Sequence, residues 1–157
     1  MDIQSFKAAV GKFPTGVCVI TTALGDKLFG FTANSFVSVS LSPPLISFCL
    51  DKKAFSLQAF TQSKHFAISI LSNQQSSIAA KFALSGENKF KNIQYNLSKD
   101  KIPLISNSIS QIECIKYNEI DCGDHIIFIG KVSKVKIDNQ SQPLIYYGKN
   151  YRYLTDE

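Results

Sequence analysis

Three short stretches of this chain set side chains where they could do chemistry. In Thr32-Ala33-Asn34-Ser35-Phe36-Val37-Ser38-Val39-Ser40, small hydroxyl and amide groups alternate with apolar ones. Such a ribbon lets backbone donors and acceptors approach a flat heteroaromatic ring closely. Asp51-Lys52-Lys53-Ala54-Phe55-Ser56 opens a short helix, so backbone N–H groups, lysine charge and a hydroxyl could converge on a phosphate. Gly123-Asp124-His125 puts an imidazole at the mouth of the strand that starts at Ile126, beside a flexible glycine and an adjacent carboxylate. Each stretch also has a plainer reading: a Ser/Thr-rich β connection, an Asp51 helix cap with two solvated lysines, and a tight turn with a satisfied histidine.

Other chemistries are excluded by what the sequence lacks. It has no G-x-S-x-G elbow, no phosphate-binding G-x-x-x-x-G-K-[ST] loop, no G-x-G-x-x-G and no H-E-x-x-H. His65 and His125 are its only histidines, and Cys18, Cys49, Cys114 and Cys122 include no C-x-x-C pair, so no metal site is expected. Three of the cysteines sit in apolar strand-like runs and read as buried free thiols. The net charge is +5, but the lysines are scattered from Lys7 to Lys149 and Arg152 is the lone arginine. The densest groups, Lys89, Lys91, Lys99 and Lys101, then Lys131, Lys134 and Lys136, read as a solvated loop and the outer face of a strand. That pattern argues against a nucleic-acid groove and leaves a mild positive field that favours encounter with anionic phosphorylated cofactors. No apolar run approaches membrane-spanning length and the first residues carry no signal-peptide core, so a cytoplasmic location without membrane attachment is expected.

The elements that must position these stretches are mostly strands. Ile3, Phe6, Ala9, Val10 and Phe13 recur at helical spacing until Pro14 and Gly16 end the pattern. Val17 to Ala23 is a strand covered on both faces, turned at Gly25-Asp26 into a partner at Phe29 to Thr32. Pro43-Pro44 precedes a strand at Leu45 to Leu50, Ala54 to Phe60 has a helical pattern, Phe66 to Leu71 is a strand and Gln74 to Ala83 a helix. Residues 84 to 103 are polar and irregular. Long strands follow at Ile109 to Tyr117 and Ile126 to Ile137, the second changing phase so that a bulge is needed near Ser133. Short strands at Leu144 to Tyr147 and Tyr151 to Leu154 close the chain around Gly148. At 157 residues this is one domain, and a closed antiparallel barrel that hides its edges is preferred to a parallel α/β sheet.

The order of these segments resembles the short-chain flavin reductase family, which has a mainly β, antiparallel Greek-key split β-barrel fold with a few short helices. The resemblance is carried by Phe13-Pro14-Thr15-Gly16-Val17, Thr32-Ala33-Asn34-Ser35-Phe36, Ser38-Val39-Ser40-Leu41 and Pro43-Pro44-Leu45. It continues through Gln75 to Lys81-Phe82-Ala83, Gly123-Asp124-His125, Phe128-Ile129-Gly130 and Tyr151-Arg152, so it covers nearly the whole chain. Within the family the chain is most similar to reductase components of two-component flavin monooxygenases, such as those acting on 4-hydroxyphenylacetate or nitrilotriacetate.

The resemblance implies a homodimer with FMN or FAD in a groove and NADH or NADPH as hydride donor. With one arginine available for a 2′-phosphate, NADH is preferred. It implies flavin contacts from Thr32, Ala33, Asn34, Ser35, Ser38, Val39 and Ser40, from Cys49 and Leu50, and from Lys53 and Ser56 near the phosphate. Lys81, Phe82 and Ala83 would line the same groove, with Tyr151 and Arg152 bordering it. Thr15, Gly123, Asp124 and His125 would lie on the nicotinamide side, with His125 as the catalytic-site imidazole. Ala54 departs from the family pattern, standing where many members carry a hydroxyl. A flavin-binding module without turnover and a flavin-dependent ferric reductase remain as alternative readings.

Overall fold

The structure, a computed structural model, describes residues 1–86, 88–138 and 140–155. In chain order the elements are α1 (Ile3–Val10), β1 (Thr15–Gly16), β2 (Cys18–Leu24), β3 (Lys27–Ala33), β4 (Val37–Leu41) and β5 (Pro44–Asp51). Then come α2 (Leu57–Gln62), β6 (His65–Ile70), α3 (Ser76–Ala83), β7 (Tyr95–Leu97) and β8 (Pro103–Ile105). The last four are β9 (Ser110–Cys122), β10 (His125–Ile137), β11 (Ile145–Tyr147) and β12 (Asn150–Arg152). β7 and β8 fall in or beside the stretch expected to be irregular. Among the described residues they pair only with each other, too briefly for their side chains to show an alternating pattern.

Seven strands form one antiparallel sheet in the order β3-β2-β6-β9-β10-β5-β4. Laid flat, its two edges would stand about 29 Å apart at ordinary strand spacing. Yet β3 and β4, the two edges, are consecutive in sequence and joined by residues 34–36 alone, a link that reaches at most about 14 Å. The sheet must therefore curl until its edges approach, and side chains make the join. Phe31 of β3 meets Phe48 of β5 at 5.8 Å and Phe60 of α2 at 5.4 Å between ring centroids. The closed barrel expected from edge protection is corrected here: among the described residues no ladder joins β3 to β4, and the barrel stays split.

The core inside the curl is aromatic. Phe48 stacks on Phe128 at 5.2 Å and meets Phe66 edge-on at 5.2 Å. Gly130 makes room for that packing, because a Cβ there would stand 2.3 Å from Phe66 Cζ. A second cluster, including Val19, Leu71, Phe82 and Leu144, seats α3 and the short sheet of β1, β11 and β12. The phase change in β10 is resolved as expected, by a register shift between Val132 and Lys134 against β9.

α1 forms where the spacing predicts it. Asp2 caps it by accepting the N–H groups of Gln4 and Ser5. Its apolar face is not buried, however: Ile3, Phe6 and Val10 are all exposed.

Candidate functional site

The split leaves a cleft of about 360 Å³ at the end of β3 and β5. One wall is the end of β3 and the turn after it, Phe31 to Ser35. A second wall is Cys49 to Asp51 with Ala54 to Ser56, and a third is Phe82 to Ser85 at the end of α3. His125 and Lys89 complete it.

Three sets of bonds hold these walls. Ladder pairing of β4 with β5 stops at Val37↔Ser47, so Cys49 has no strand partner on that side. The Ser35 hydroxyl takes the strand's place, accepting the Cys49 N–H at 3.0 Å and donating to the Cys49 carbonyl at 3.4 Å. Thr32 Oγ1 donates to the Ala79 carbonyl at 2.6 Å, tying β3 to α3. Lys89 Nζ donates to the carbonyls of Gly30 at 3.2 Å and Phe82 at 3.1 Å, bridging the same two elements, and its burial pushes its pKa below the usual lysine range.

His125 follows a two-residue turn in which Gly123 adopts φ +62°, a conformation that favours glycine. Its Nδ1 lies 2.7 Å from Asp124 Oδ1. That bond holds the Asp124 carboxyl below its ordinary range, with the histidine's charge as a further cause. Pairing at Nδ1 orients the ring and leaves Nε2 as the nitrogen for other partners.

The cleft thus brings together Thr32, Ala33, Asn34, Ser35, Cys49, Leu50, Ser56, Phe82, Ala83 and His125 of the expected set. Tyr151 lines a neighbouring cavity of about 220 Å³, which shares Thr32, Ala33, Asn34 and Ala83 with the first. Its ring packs 5.9 Å from Tyr146, and burial, then Tyr146, raises its pKa.

Other expected residues stand apart. Ser38, Val39 and Ser40 lie on edge strand β4, where a register shift between Ser38 and Ser40 sets Val39 out of the ladder. Lys81 does not line the cleft; its amine donates to the Lys91 carbonyl. Lys53, Arg152, Gly123 and Asp124 are exposed and do not line the cleft, although Lys53 is near enough for its charge to act on Asp124. Thr15 is also outside it, with a buried hydroxyl that has no hydrogen-bond partner among the described residues.

The expected phosphate cradle is smaller than its sequence suggests. Asp51 ends β5 and does not cap α2, which begins six residues later with Ser56 at its N-cap. The N–H groups of Lys52, Lys53 and Ala54 are already spent on Asp124 O, Asp51 Oδ1 and Asp51 O. Ser56 is 4% exposed and makes no capping bond, so its hydroxyl is available to the cleft.

Sequence reasoning missed Phe31, Leu84, Ser85 and Lys89; Asp51, Ala54 and Phe55 lay within its candidate phosphate-binding stretch but were not named as contacts. Most of these adjoin expected residues, so contiguity was the usable signal. Lys89 carried none: it read as part of a solvated loop, and in the structure its amine reaches the Gly30 carbonyl of β3.

A cleft whose walls combine apolar side chains, small polar groups and one oriented imidazole suits a planar heteroaromatic ligand. The apolar surfaces of Ala33, Ala83 and Phe82 and the free Ser56 hydroxyl fit a flavin with its phosphate tail. The flavin reductase like domain family matches residues 10–155, and the chain belongs to that family.

A Pseudomonas putida flavin reductase is 35% identical over 152 residues, 96% of this chain and 89% of that protein. The reductase subunit of a Mycobacterium tuberculosis flavin-dependent monooxygenase is 33% identical over 159 residues, covering 100% of this chain and 85% of that protein. Among solved structures, a Streptomyces globisporus NADH:FAD oxidoreductase in complex with NAD and FAD fragments superposes with a TM-score of 0.94 at 34% identity. That match covers 98% of this chain and 93% of the other.

Proposed function

We propose that the chain, as one flavin reductase-like domain over residues 1–157, is an NAD(P)H-dependent flavin reductase that supplies reduced flavin to a monooxygenase partner. The observation that carries this reading is the cleft at the split, which gathers ten of the expected site residues in a chain of this family. When both ligands are bound, the chemistry they supply is hydride transfer from the nicotinamide C4 to the flavin N5.

The protein's part is alignment. Ser35 and Thr32 stiffen the two walls, so the ring seat is fixed before ligand arrives. His125, oriented by Asp124, borders the cleft where a nicotinamide amide would need a polar partner. Holding two reactants in a near-attack arrangement is worth roughly 7–11 kcal/mol of barrier in favourable cases, which is why no acid–base triad is required.

The chain acts as a homodimer in this reading. β4 is a sheet edge with Val37, Val39 and Leu41 exposed, and α1 presents a bare apolar face. Light scattering after size exclusion tests it. A cytoplasmic site of action fits four free cysteines, and no helix of the described residues is long and apolar enough to cross a membrane.

The central test is steady-state oxidation of NADH and NADPH with and without FMN, FAD or riboflavin. Flavin-dependent oxidation is expected, faster with NADH. Flavin binding without any oxidation would replace this reading with a binding module. Reduction confined to ferric complexes would replace the monooxygenase role.

A further inference from the structure

The turn that carries His125 is held by a residue that does not line the cleft. β9 ends at Cys122 and β10 begins opposite it at His125, so Gly123 and Asp124 alone make the connection. This turn is the exposed tip of a long hairpin, where backbone frays readily unless something outside the hairpin ties it down.

Lys52, the first residue after β5, ties it with three bonds. Its N–H donates to the Asp124 carbonyl at 2.9 Å, and its Nζ donates to the Gly123 carbonyl at 2.8 Å and to Asp121 Oδ1 at 2.7 Å. Among the described residues no other group outside the hairpin bonds Gly123 or Asp124. An amine that the sequence made available to a phosphate is thus committed to the turn, and Lys52 stands outside the cleft.

The side chains of Asp124 and His125 are 89% and 43% exposed, so packing does little to orient the ring. Its direction follows the 2.7 Å bond from Asp124, and the place of Asp124 follows the bonds from Lys52. The Lys52–Asp121 pair lies at the surface and adds little to stability. A charge-assisted bond to a backbone carbonyl fixes geometry all the same.

We propose that Lys52 is a positioning residue: it clasps the Gly123-Asp124 turn to the end of β5 and so fixes where Asp124 holds the His125 ring against the cleft. The proposal rests on the reading of His125 as the imidazole on the nicotinamide side. It predicts a change in nicotinamide use with flavin binding left as it is.

Two variants test it. Lys52→Met keeps the length of the side chain and removes the amine, and Asp121→Ala removes the acid end of the clasp. KM and kcat for NADH, flavin affinity by fluorescence and the imidazole resonances by NMR are measured for each. His65 and His125 are the only histidines, so His125→Ala assigns both rings, and His65, at the start of β6 and paired with Asp100 at 3.4 Å, is the internal control.

Lys52→Met should displace the His125 resonances and leave those of His65. It should raise KM for NADH about five-fold with kcat and flavin affinity unchanged, as expected when a binding group is misplaced and not removed. Added to His125→Ala it should cost nothing more, because both changes act through one ring. Asp121→Ala should raise KM in the same direction. If Lys52 acted by attracting the anionic dinucleotide, Asp121→Ala would lower KM and the loss in Lys52→Met would persist without the imidazole; either result overturns the proposal. His125 resonances at wild-type positions in Lys52→Met overturn it whatever the kinetics. Because the resonances are read without turnover, a His125→Ala variant that uses NADH as the wild type does would refute the reading of His125, and the spectra would then decide the clasp alone.

Discussion

Ser35→Ala probes the join on which the cleft depends. Along β5 the backbone is paired on one side with β10 from Leu45 to Asp51, Cys49 lying opposite Ile127. On the other side β4 pairs only as far as Ser47, and at Cys49 the Ser35 hydroxyl supplies both a donor and an acceptor. Alanine removes both bonds and leaves a half-buried N–H and carbonyl, at a cost of about 1–3 kcal/mol if water cannot reach them. Cys49 is half-buried beside the cleft, so partial hydration should bring the loss to about 1–2 kcal/mol. Urea denaturation followed by fluorescence or circular dichroism reads that loss directly, as a lower midpoint with an unchanged slope. Residues 34–36, freed from β5, should also loosen the ring seat and weaken flavin binding several-fold. Ser38→Ala is the control: it lies on the exposed edge strand, outside the cleft, and should alter neither quantity. Wild-type stability and flavin affinity in Ser35→Ala, or an equal loss in Ser38→Ala, would refute the claim that Ser35 stands in for a strand.

Three further outcomes are expected. His125→Ala should raise KM for NADH about ten-fold while flavin affinity holds, and unchanged kinetics for both would remove His125 from the site. Gly130→Ala should destabilise by about 1–3 kcal/mol, since the added Cβ would overlap the Phe66 ring; a variant as stable as the wild type would show that the core can give way. Burial pushes the Cys18 and Cys114 thiols from 9.0 up to about 12. Their folded values exceed the unfolded one, so their contribution is whole below pH 9.0 and is lost as pH rises toward about 12, by up to about 1.4 kcal/mol per pH unit for each thiol. Unfolding midpoints between pH 8 and 10.5 should therefore fall more steeply for the wild type than for Cys114→Ala, and parallel slopes would count against it.

Strands whose burial is uniform or strictly alternating were legible in the sequence. β2 is buried from Cys18 to Thr22 and β5 alternates from Leu45 to Leu50, and in both the side-chain pattern and the backbone choice are the same fact. The Ser133 bulge was readable for the same reason, because a change of phase in a two-residue period admits few repairs. What was not legible depends on partners distant in sequence. β7 and β8 are three residues each and exist because they pair with one another. Lys89 reads as part of a surface loop and becomes a site residue only when its amine reaches the carbonyls of Gly30 and Phe82.

The expected helix cap at Asp51 fails for a related reason, and its failure explains the site. Asp51 satisfies the local rule for a cap, yet its carboxylate and carbonyl are consumed by a turn that delays the helix to Leu57. That delay inserts Ala54 and Phe55 between β5 and α2, and both line the cleft. The turn therefore gives up N–H donors for an aromatic side chain, Phe55, in the cleft wall, and in the flavin reading phosphate recognition falls to the Ser56 hydroxyl and the Lys89 amine.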